Sequence, residues 1–347
     1  MSIQREEFGR TREGERVSRF LIENRNGNRA VATDYGCALL ELWIRDRDGN
    51  KRNVVLGYPD LEGYLNHGDF LGACVGRFGG WIQKGEVRLH DRSISLNKTD
   101  GKNHLHGGVR GFDKFIWKSE IQGNRICFSR LSPAGEEHYP GNLKVKITYE
   151  FTDQDEWILC YEAECDEDTI CNLTNHSYFN LEGRNSPGIL DHELQIHSEL
   201  VQEDNEDGIS DWHLFPVEGT PFDFRKAKKI KKDLFSDSIQ LKYGHGYDHN
   251  FYLKPWGEMR QAAVLYSEES GIEMSVSTNQ SGIQLYTANY LTGEAGNEKE
   301  PYGVHAGVCL ETQYCPSKQQ LTEGLLYPIL RAGERYCHKT IYKFQIR

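Results

Sequence analysis

The chain has 347 residues and a formal net charge of -11, with acidic and basic residues interspersed. Because a surface of that charge repels a phosphate-rich polymer, we do not expect a nucleic-acid partner. The sequence contains no run of about 18 apolar residues, the length that a spanning helix needs, and no apolar signal segment at its start, so we expect neither a membrane partner nor secretion.

The composition favours an all-β fold. The chain contains 35 glycines, 11% aromatic residues and only three methionines, which suits many short strands joined by turns better than a helical bundle. Nine cysteines form no C-x-x-C pair and are odd in number, which is typical of reduced thiols. We therefore expect a cytoplasmic protein.

Strand patterns recur along the chain. In residues 144–151 the apolar side chains occupy every second position, as on a half-buried antiparallel strand. Similar patterns bounded by turn residues occupy residues 157–163, 271–277, 282–287 and 340–346. The best helical candidate is residues 223–234, for which we predict one or two turns with Phe224, Ile230 and Leu234 on one stripe. The basic residues of that segment are interpreted as a solvated face.

No linker, repeat or change of composition divides the chain, so residues 1–347 are predicted to form a single domain. The strand patterns predict a large antiparallel β-sandwich, with any site on a sheet face or among its loops. The edge strands leave the choice between a monomer and a homodimer open.

The first candidate site residue in chain order is His106, which precedes Gly107 and Gly108. Paired glycines allow positive φ and the close backbone approach that a ligand-wrapping loop needs, although a simple tight turn is the alternative. His104 and His106 alternate as two metal ligands on a strand would, but no third ligand lies at a convincing spacing. We therefore predict no metal and no cofactor.

The second candidate is His176, within the polar run Asn-Leu-Thr-Asn-His-Ser-Tyr-Phe-Asn-Leu at residues 172–181. Burying such a cluster costs free energy unless its groups are hydrogen-bonded, and neighbouring amides and hydroxyls are able to hold the imidazole in one tautomer. A histidine held in this way is suited to general acid catalysis. The alternative is a hydrogen-bonded core histidine.

Two carboxylates complete the set. Asp248 lies in a glycine-rich turn between aromatic residues, a composition suited to sugar hydroxyls, or equally to a turn cap. Glu311 follows an apolar run, where desolvation raises the pKa of a carboxyl group and makes it a usable base, unless it forms a structural ion pair.

Other chemistries lack their motifs. Ser177 adjoins His176, but no G-x-S-x-G sequence is present and adjacent strand residues point to opposite faces. The glycines at residues 76–80 fit neither the dinucleotide nor the phosphate-loop pattern, so no nucleotide cofactor is indicated.

Taken together, these segments resemble the galactose mutarotase (aldose 1-epimerase) family. The resemblance extends in order over nearly the whole chain, through residues 72–85, 103–117, 139–143, 172–183, 217–225, 246–253, 282–291 and 310–313. It implies a β-sandwich that interconverts the α and β anomers of an aldohexose such as galactose or glucose, a small-molecule sugar substrate, without a cofactor.

By motif position, the resemblance implies His176 as general acid and Glu311 as general base, with His106 assisting at the ring oxygen. It places Asp248 and Gln284 at positions that contact sugar hydroxyls, with Tyr178 nearby. These residue types suit the reaction, because removal of the anomeric hydroxyl proton and protonation of the ring oxygen together open the hemiacetal.

One segment departs from the family pattern Gly-Arg-x-Ala-Asn-Arg-Ile. This chain reads Gly-Arg-Phe-Gly-Gly-Trp-Ile at residues 76–82, so Gly80 and Trp81 replace an Asn and an Arg that are expected to contact the sugar. We expect Arg77 and Trp81 to bind substrate, Trp81 by stacking. The replacement leaves two rival hypotheses: an epimerase for a different aldose, and a non-catalytic sugar-binding or regulatory protein of the same fold.

Overall fold

The computed structural model describes residues 2–293 and 301–347. The strands of these residues are, in chain order, β1 Ser2–Arg10, β2 Arg16–Glu23, β3 Arg29–Thr33, β4 Leu39–Arg45, β5 Lys51–Asn53, β6 Cys74–Val75, β7 Trp81–Ile82, β8 Glu86–Leu89, β9 Arg92–Ser95, β10 His104–Leu105, β11 Lys118–Gln122, β12 Arg125–Ser132, β13 Leu143–Phe151, β14 Glu156–Cys165, β15 Thr169–Ile170, β16 Thr174–Asn175, β17 Tyr178–Phe179, β18 Glu193–Ile196, β19 Leu200–Asp204, β20 Ser210–Pro216, β21 Lys228–Lys229, β22 Asp248–Tyr252, β23 Arg260–Tyr266, β24 Ile272–Thr278, β25 Gly282–Tyr286, β26 Val308–Gln313, β27 Ile329–Leu330 and β28 Arg335–Ile346. The helices are α1 Leu61–Asn66, α2 Lys231–Leu234, α3 Ile239–Tyr243 and α4 Lys318–Thr322, with 3-10 turns at Gln83–Gly85, Phe112–Lys114 and Glu136–His138.

Three larger sheets organise these strands. They are a five-stranded sheet β1-β2-β3-β4-β5, a nine-stranded sheet β11-β12-β13-β14-β28-β24-β23-β18-β21 and a six-stranded sheet β17-β26-β25-β22-β19-β20. The pairings between these strands are antiparallel. The predicted all-β antiparallel sandwich is confirmed.

The core lies where the larger sheets face one another. In β13, Leu143, Val145, Ile147, Tyr149 and Phe151 are buried and alternate with more exposed residues. Each such side chain contributes roughly 1.5–3 kcal/mol when it leaves water, so the period-2 pattern determines which face of the strand turns inward. The same cluster of buried side chains includes residues of the five- and six-stranded sheets.

Within residues 223–234 the structure has one helical turn, in agreement with the predicted one or two turns. Only α2, at its end, is helical, whereas β21 pairs with β18 and the carbonyl of Phe224 accepts a hydrogen bond from the N–H of Ile196. Phe224, Ile230 and Leu234, the expected apolar stripe, are buried. The backbone before α2, however, forms its hydrogen bonds with the edge of a sheet. Among the described residues, no helix has the length and apolar character needed to cross a bilayer.

The six-stranded sheet brings distant polar residues side by side. Glu311 of β26 pairs with Gln284 of β25, which pairs with Asn250 of β22. Asp248 lies two residues before Asn250, so both side chains project from the same face of the sheet. Residues more than 60 positions apart in sequence therefore line one surface.

A tight approach of two loops holds His106. The residue itself has φ 47°, and Gly107 follows with φ 89°. A Cβ on Gly107 would lie 1.8 Å from the carbonyl oxygen of Gly76. Position 107 therefore accepts only glycine without displacing the loop that contains Gly76 and Arg77.

We expect Gly107→Ala to lower the free energy of unfolding by about 2–5 kcal/mol, because left-handed backbone strain and a backbone clash add together. Chemical denaturation measures this. The matched control is Gly14→Ala, since Gly14 has φ 84° but no atom within 4 Å of its would-be Cβ; we expect it to lose about 1–2 kcal/mol. Equal losses in the two variants would contradict the close approach.

Candidate active site

An open cavity of about 200 Å³ lies over this polar face of the six-stranded sheet. It combines carboxyl, amide and imidazole groups with aromatic rings. Its lining residues are Gly68, Asp69, Phe70, Gly80, Trp81, Leu105, His106, His176, Tyr178, Asp248, Gln284, Tyr286, Tyr290, Leu291, Glu311 and Gln313. Seven of the eight site residues predicted from the sequence are among them, and Arg77 is not.

His176 is positioned by its backbone and by ring stacking. It lies between β16 and β17, where its N–H donates to the carbonyl of Ala73 and its carbonyl accepts from the N–H of Gly72. The imidazole stacks on Tyr178, with ring centroids 4.9 Å apart, and meets His106 edge-on at 5.3 Å. The ring therefore has a fixed orientation at the cavity wall.

The central contact of the site joins His176 to Glu311. Nε2 of His176 lies 3.6 Å from Oε1 of Glu311, and both side chains are buried. Burial lowers the pKa of His176 to about 4. Burial, followed by the nearby Asp248, raises the pKa of Glu311 well above its ordinary value. Burial therefore disfavours the charged form of both groups, and the two groups lie close enough to influence each other's ionisation.

His106 is held differently. Its Nδ1 accepts a hydrogen bond from the backbone N–H of Gly80 at 3.1 Å, so in the neutral ring the proton lies on Nε2. Burial, followed by the charge of His176, lowers the pKa of His106 well below its ordinary value. His106 is therefore a neutral hydrogen-bond donor over the physiological pH range.

Asp248 and two glutamines form a hydrogen-bonded chain across the sheet. Nε2 of Gln313 donates to Oε1 of Gln284 at 3.3 Å, and Nε2 of Gln284 donates to Oδ1 of Asp248 at 2.8 Å. Burial raises the pKa of Asp248 to about 7, against the hydrogen bond from Gln284, which lowers it. Amides fixed in this way present defined donors and acceptors to the hydroxyl groups of a ligand.

The aromatic residues serve two purposes. The hydroxyl of Tyr178 donates to the carbonyl of Asp69 at 2.9 Å, so its main contribution is the ring face that supports His176. Trp81 donates its indole N–H to Oδ2 of Asp100 at 2.8 Å. This bond leaves the indole ring as an apolar wall of the cavity.

Arg77, which the sequence predicted to bind substrate, lies elsewhere. Its guanidinium is buried and donates to Oγ of Ser132 at 2.8 Å and to the carbonyls of Pro133 and Pro140, both at 2.9 Å. It also lies over the ring of Tyr139. Arg77 therefore connects the loop around residue 77 to residues 132–141 and does not face the cavity.

Sequence reasoning missed several residues of the cavity wall. Tyr286 and Gln313 follow Gln284 and Glu311 by two positions, so strand alternation alone would have placed them on the same face. Phe70 and Tyr290 lie in irregular segments and carry no such signal.

Metal-type ligands do meet at one point. Among the described residues, His176, Cys309 and Glu311 place one donor atom each within 4.8 Å of one another. Sγ of Cys309 lies 3.5 Å from Nδ1 of His176, and Oε1 of Glu311 lies 3.6 Å from Nε2, so each group contacts a different nitrogen of the ring. The nitrogens of His104 contact the carbonyl of Asn97 and the hydroxyl of Tyr139, so this histidine does not join the cluster.

We expect Arg77→Met to lower the free energy of unfolding by at least about 3 kcal/mol, because several buried carbonyls lose their donor. Thermal and chemical denaturation measure it. The control is Arg331→Met, since Arg331 is 69% exposed and forms only a 3.9 Å ion pair with Glu334. A loss no larger than that of the control would show that Arg77 does not join the two segments.

The raised pKa of Asp248 predicts a stability change with pH. An Asp whose folded pKa is about 7, above its ordinary value of 3.8, contributes stability that is fully present below pH 4 and is lost as the pH rises towards 7. Between pH 5 and pH 8, we expect the wild type to lose about 2–3 kcal/mol relative to Asp248→Asn, which cannot ionise. Denaturant titrations at both pH values test this. Asp237→Asn, at an exposed position, should give a pH-independent difference.

Known proteins of one family are similar to this chain over most of its length. The sequence pattern of the aldose 1-epimerase family matches residues 18–343. The chain is 41% identical to the galactose mutarotase of Rattus norvegicus over 100% of this chain and 99% of the relative. It is 36% identical to the aldose 1-epimerase of Haemophilus influenzae over 93% of this chain and 94% of the relative.

Among solved structures, a galactose 1-epimerase from Lactobacillus acidophilus superimposes with a TM-score of 0.86 and 29% identity, covering 99% of both chains. Sequence pattern, curated relatives and three-dimensional similarity thus agree over almost the full length. The chain belongs to the aldose 1-epimerase family.

Proposed function

We propose that this protein is a mutarotase that interconverts the α and β anomers of an aldose by acid-base opening and closing of the sugar ring. The observation that carries the proposal is the buried contact between Nε2 of His176 and Oε1 of Glu311, at 3.6 Å on the wall of a polar cavity. The anomeric oxygen and the ring oxygen share one carbon atom, so a base and an acid must lie this close to reach both.

The reaction needs only the proton that the pair already holds. Transfer of the shared proton to His176 makes Glu311 a carboxylate and His176 an imidazolium. Glu311 then removes the proton of the anomeric hydroxyl while Nε2 of His176 gives its proton to the ring oxygen, and the C1–O5 bond breaks to give the aldehyde. After rotation about C1–C2, the same steps in reverse close the other face, and the pair recovers its starting protonation.

The remaining wall orients the sugar. We assign the hydroxyl contacts to Asp248 and Gln284, whose chain of hydrogen bonds gives them fixed orientations. His106 supplies a neutral N–H donor near the ring oxygen. Trp81 offers a ring face for stacking in place of the family's charged contact.

We assign the substrate to the neutral aldoses, with galactose and glucose as first candidates and a related aldose as the alternative. Two carboxyl groups resist ionisation, and the described residues that line the cavity include no lysine or arginine, so an anionic sugar is a poor fit. We also propose that the chain acts as one domain in the cytoplasm, which the nine free cysteines support. The proposal leaves monomer or homodimer open.

One observation favours a second candidate, a non-catalytic sugar-binding protein. Positions 80 and 81 present no polar side-chain group to the cavity, because Gly80 has none and the indole N–H of Trp81 is bonded to Asp100. Loss of a charged hydrogen bond weakens binding by about 1.5–3 kcal/mol. Tight sugar binding without rate enhancement would select this alternative.

We expect wild-type protein to accelerate anomer exchange of freshly dissolved α-D-glucose or α-D-galactose, and Glu311→Gln and His176→Asn each to lower kcat by about 10²–10⁴-fold. Polarimetry measures the exchange. Glu334→Gln, at an exposed position, is the control and should retain full activity. No acceleration by wild type across a panel of hexoses, pentoses and deoxy sugars would reject the mutarotase function.

The same assay should show a bell-shaped dependence of kcat/KM on pH. The acid limb lies near the His176 pKa of about 4, below which the pair holds two protons and lacks a base. The alkaline limb follows the raised pKa of Glu311, above which the pair has no proton to give.

A further inference from the structure

We propose that Cys309 is a positioning residue for this reaction: its sulfur accepts the Nδ1–H of His176 and thereby reserves Nε2 as the nitrogen that exchanges protons. The catalytic part of this inference rests on the proposed mutarotase function. The tautomer assignment does not, so the two can be tested separately.

The first support is the register of one strand. Cys309 and Glu311 lie two residues apart on β26, so their side chains project from the same face, with Sγ and a carboxylate oxygen within 4.8 Å of each other. Sγ of Cys309 lies 3.5 Å from Nδ1 of His176, and Oε1 of Glu311 lies 3.6 Å from Nε2. Consecutive residues on one strand face thus contact the two nitrogens of a single imidazole.

The second support is the proton count. Only Nε2 faces both Glu311 and the cavity, so the proton must move through that atom. A nitrogen that must both accept and donate has to be unprotonated in the neutral ring, which places the remaining proton on Nδ1. A buried Nδ1–H requires an acceptor, and Sγ of Cys309 lies within reach of it at 3.5 Å.

The thiol itself has no other evident use. Cys309 is fully buried beneath the imidazole and does not line the cavity, so it is shielded from a sugar. Burial raises the pKa of Cys309 well above its ordinary value, so the sulfur remains a neutral thiol. A neutral thiol is a weak acceptor, which orients the ring without strongly stabilising the imidazolium.

The opposite tautomer at His106 provides an internal comparison. A backbone N–H donates to Nδ1 of His106, which keeps its proton on Nε2 as a permanent donor. If Cys309 donated its S–H to His176 in the same way, Nε2 of the neutral ring would be protonated and unable to accept the proton of Glu311.

The test is nitrogen-15 NMR of the imidazoles in the full-length protein near pH 7, with the His176 signals assigned by comparison with His176→Asn. We expect a protonated Nδ1 and an unprotonated Nε2 in the wild type. The reverse assignment would overturn the proposal whatever the activity.

Three variants connect the tautomer to the rate. Cys309→Ser keeps an acceptor and should retain kcat within about threefold, whereas Cys309→Ala should lower kcat by about tenfold or more with little change in KM and should shift the His176 proton towards Nε2. The matched control is Cys315→Ala, which removes another fully buried thiol just beyond the same strand. An unchanged tautomer and kcat in Cys309→Ala, or an equal kcat loss in Cys315→Ala, would reject the positioning role.

If the wild type is inactive on every sugar but its tautomer is as expected, the proposed function fails and the tautomer assignment stands.

Discussion

The site depends on the buried contact between Nε2 of His176 and Oε1 of Glu311, which lie 3.6 Å apart. In water an imidazole and a carboxyl group separate readily into an ion pair, but burial disfavours both charged forms, and the pKa directions of the two groups reflect this. In the mechanism proposed above, His176 and Glu311 act as acid and base, and their two states differ only in the position of one proton. A substrate whose reaction consumes no net proton suits such a pair.

The six-stranded sheet fixes the relative positions of several site residues. Glu311 and Gln284 are directly paired across two strands, and Asp248 is reached through the amide of Gln284. The sheet backbone fixes these positions, while the histidines come from loops that contact it at the edge. Strands therefore position Glu311, Gln284 and Asp248, and loops held by backbone contacts position the imidazoles, which are donors in opposite tautomers in the proposed mechanism.

Much of this arrangement could be predicted from sequence, and the exceptions have physical reasons. Period-2 alternation identified the strands around residues 144–151 and 282–287, and the polar density around His176 marked it as a site residue. Before α2 the apolar spacing suits a helix stripe, but the backbone is extended because it pairs with β18, and spacing alone does not show where the helical turn begins. The direction of Arg77 and the approach of Cys309 to His176 depend on contacts between segments far apart in sequence, which periodicity does not encode.

The contact from Gly80 to His106 has an evolutionary consequence. It is made by a main-chain amide, so any residue except proline that can adopt φ 92° at position 80 preserves it. Drift at positions 80 and 81 can thus remodel the wall that meets the sugar without disturbing the imidazoles behind it. Substrate selectivity and proton transfer can therefore change independently in this fold. Substitutions at these two positions can alter which sugar binds while the residues that transfer protons stay the same.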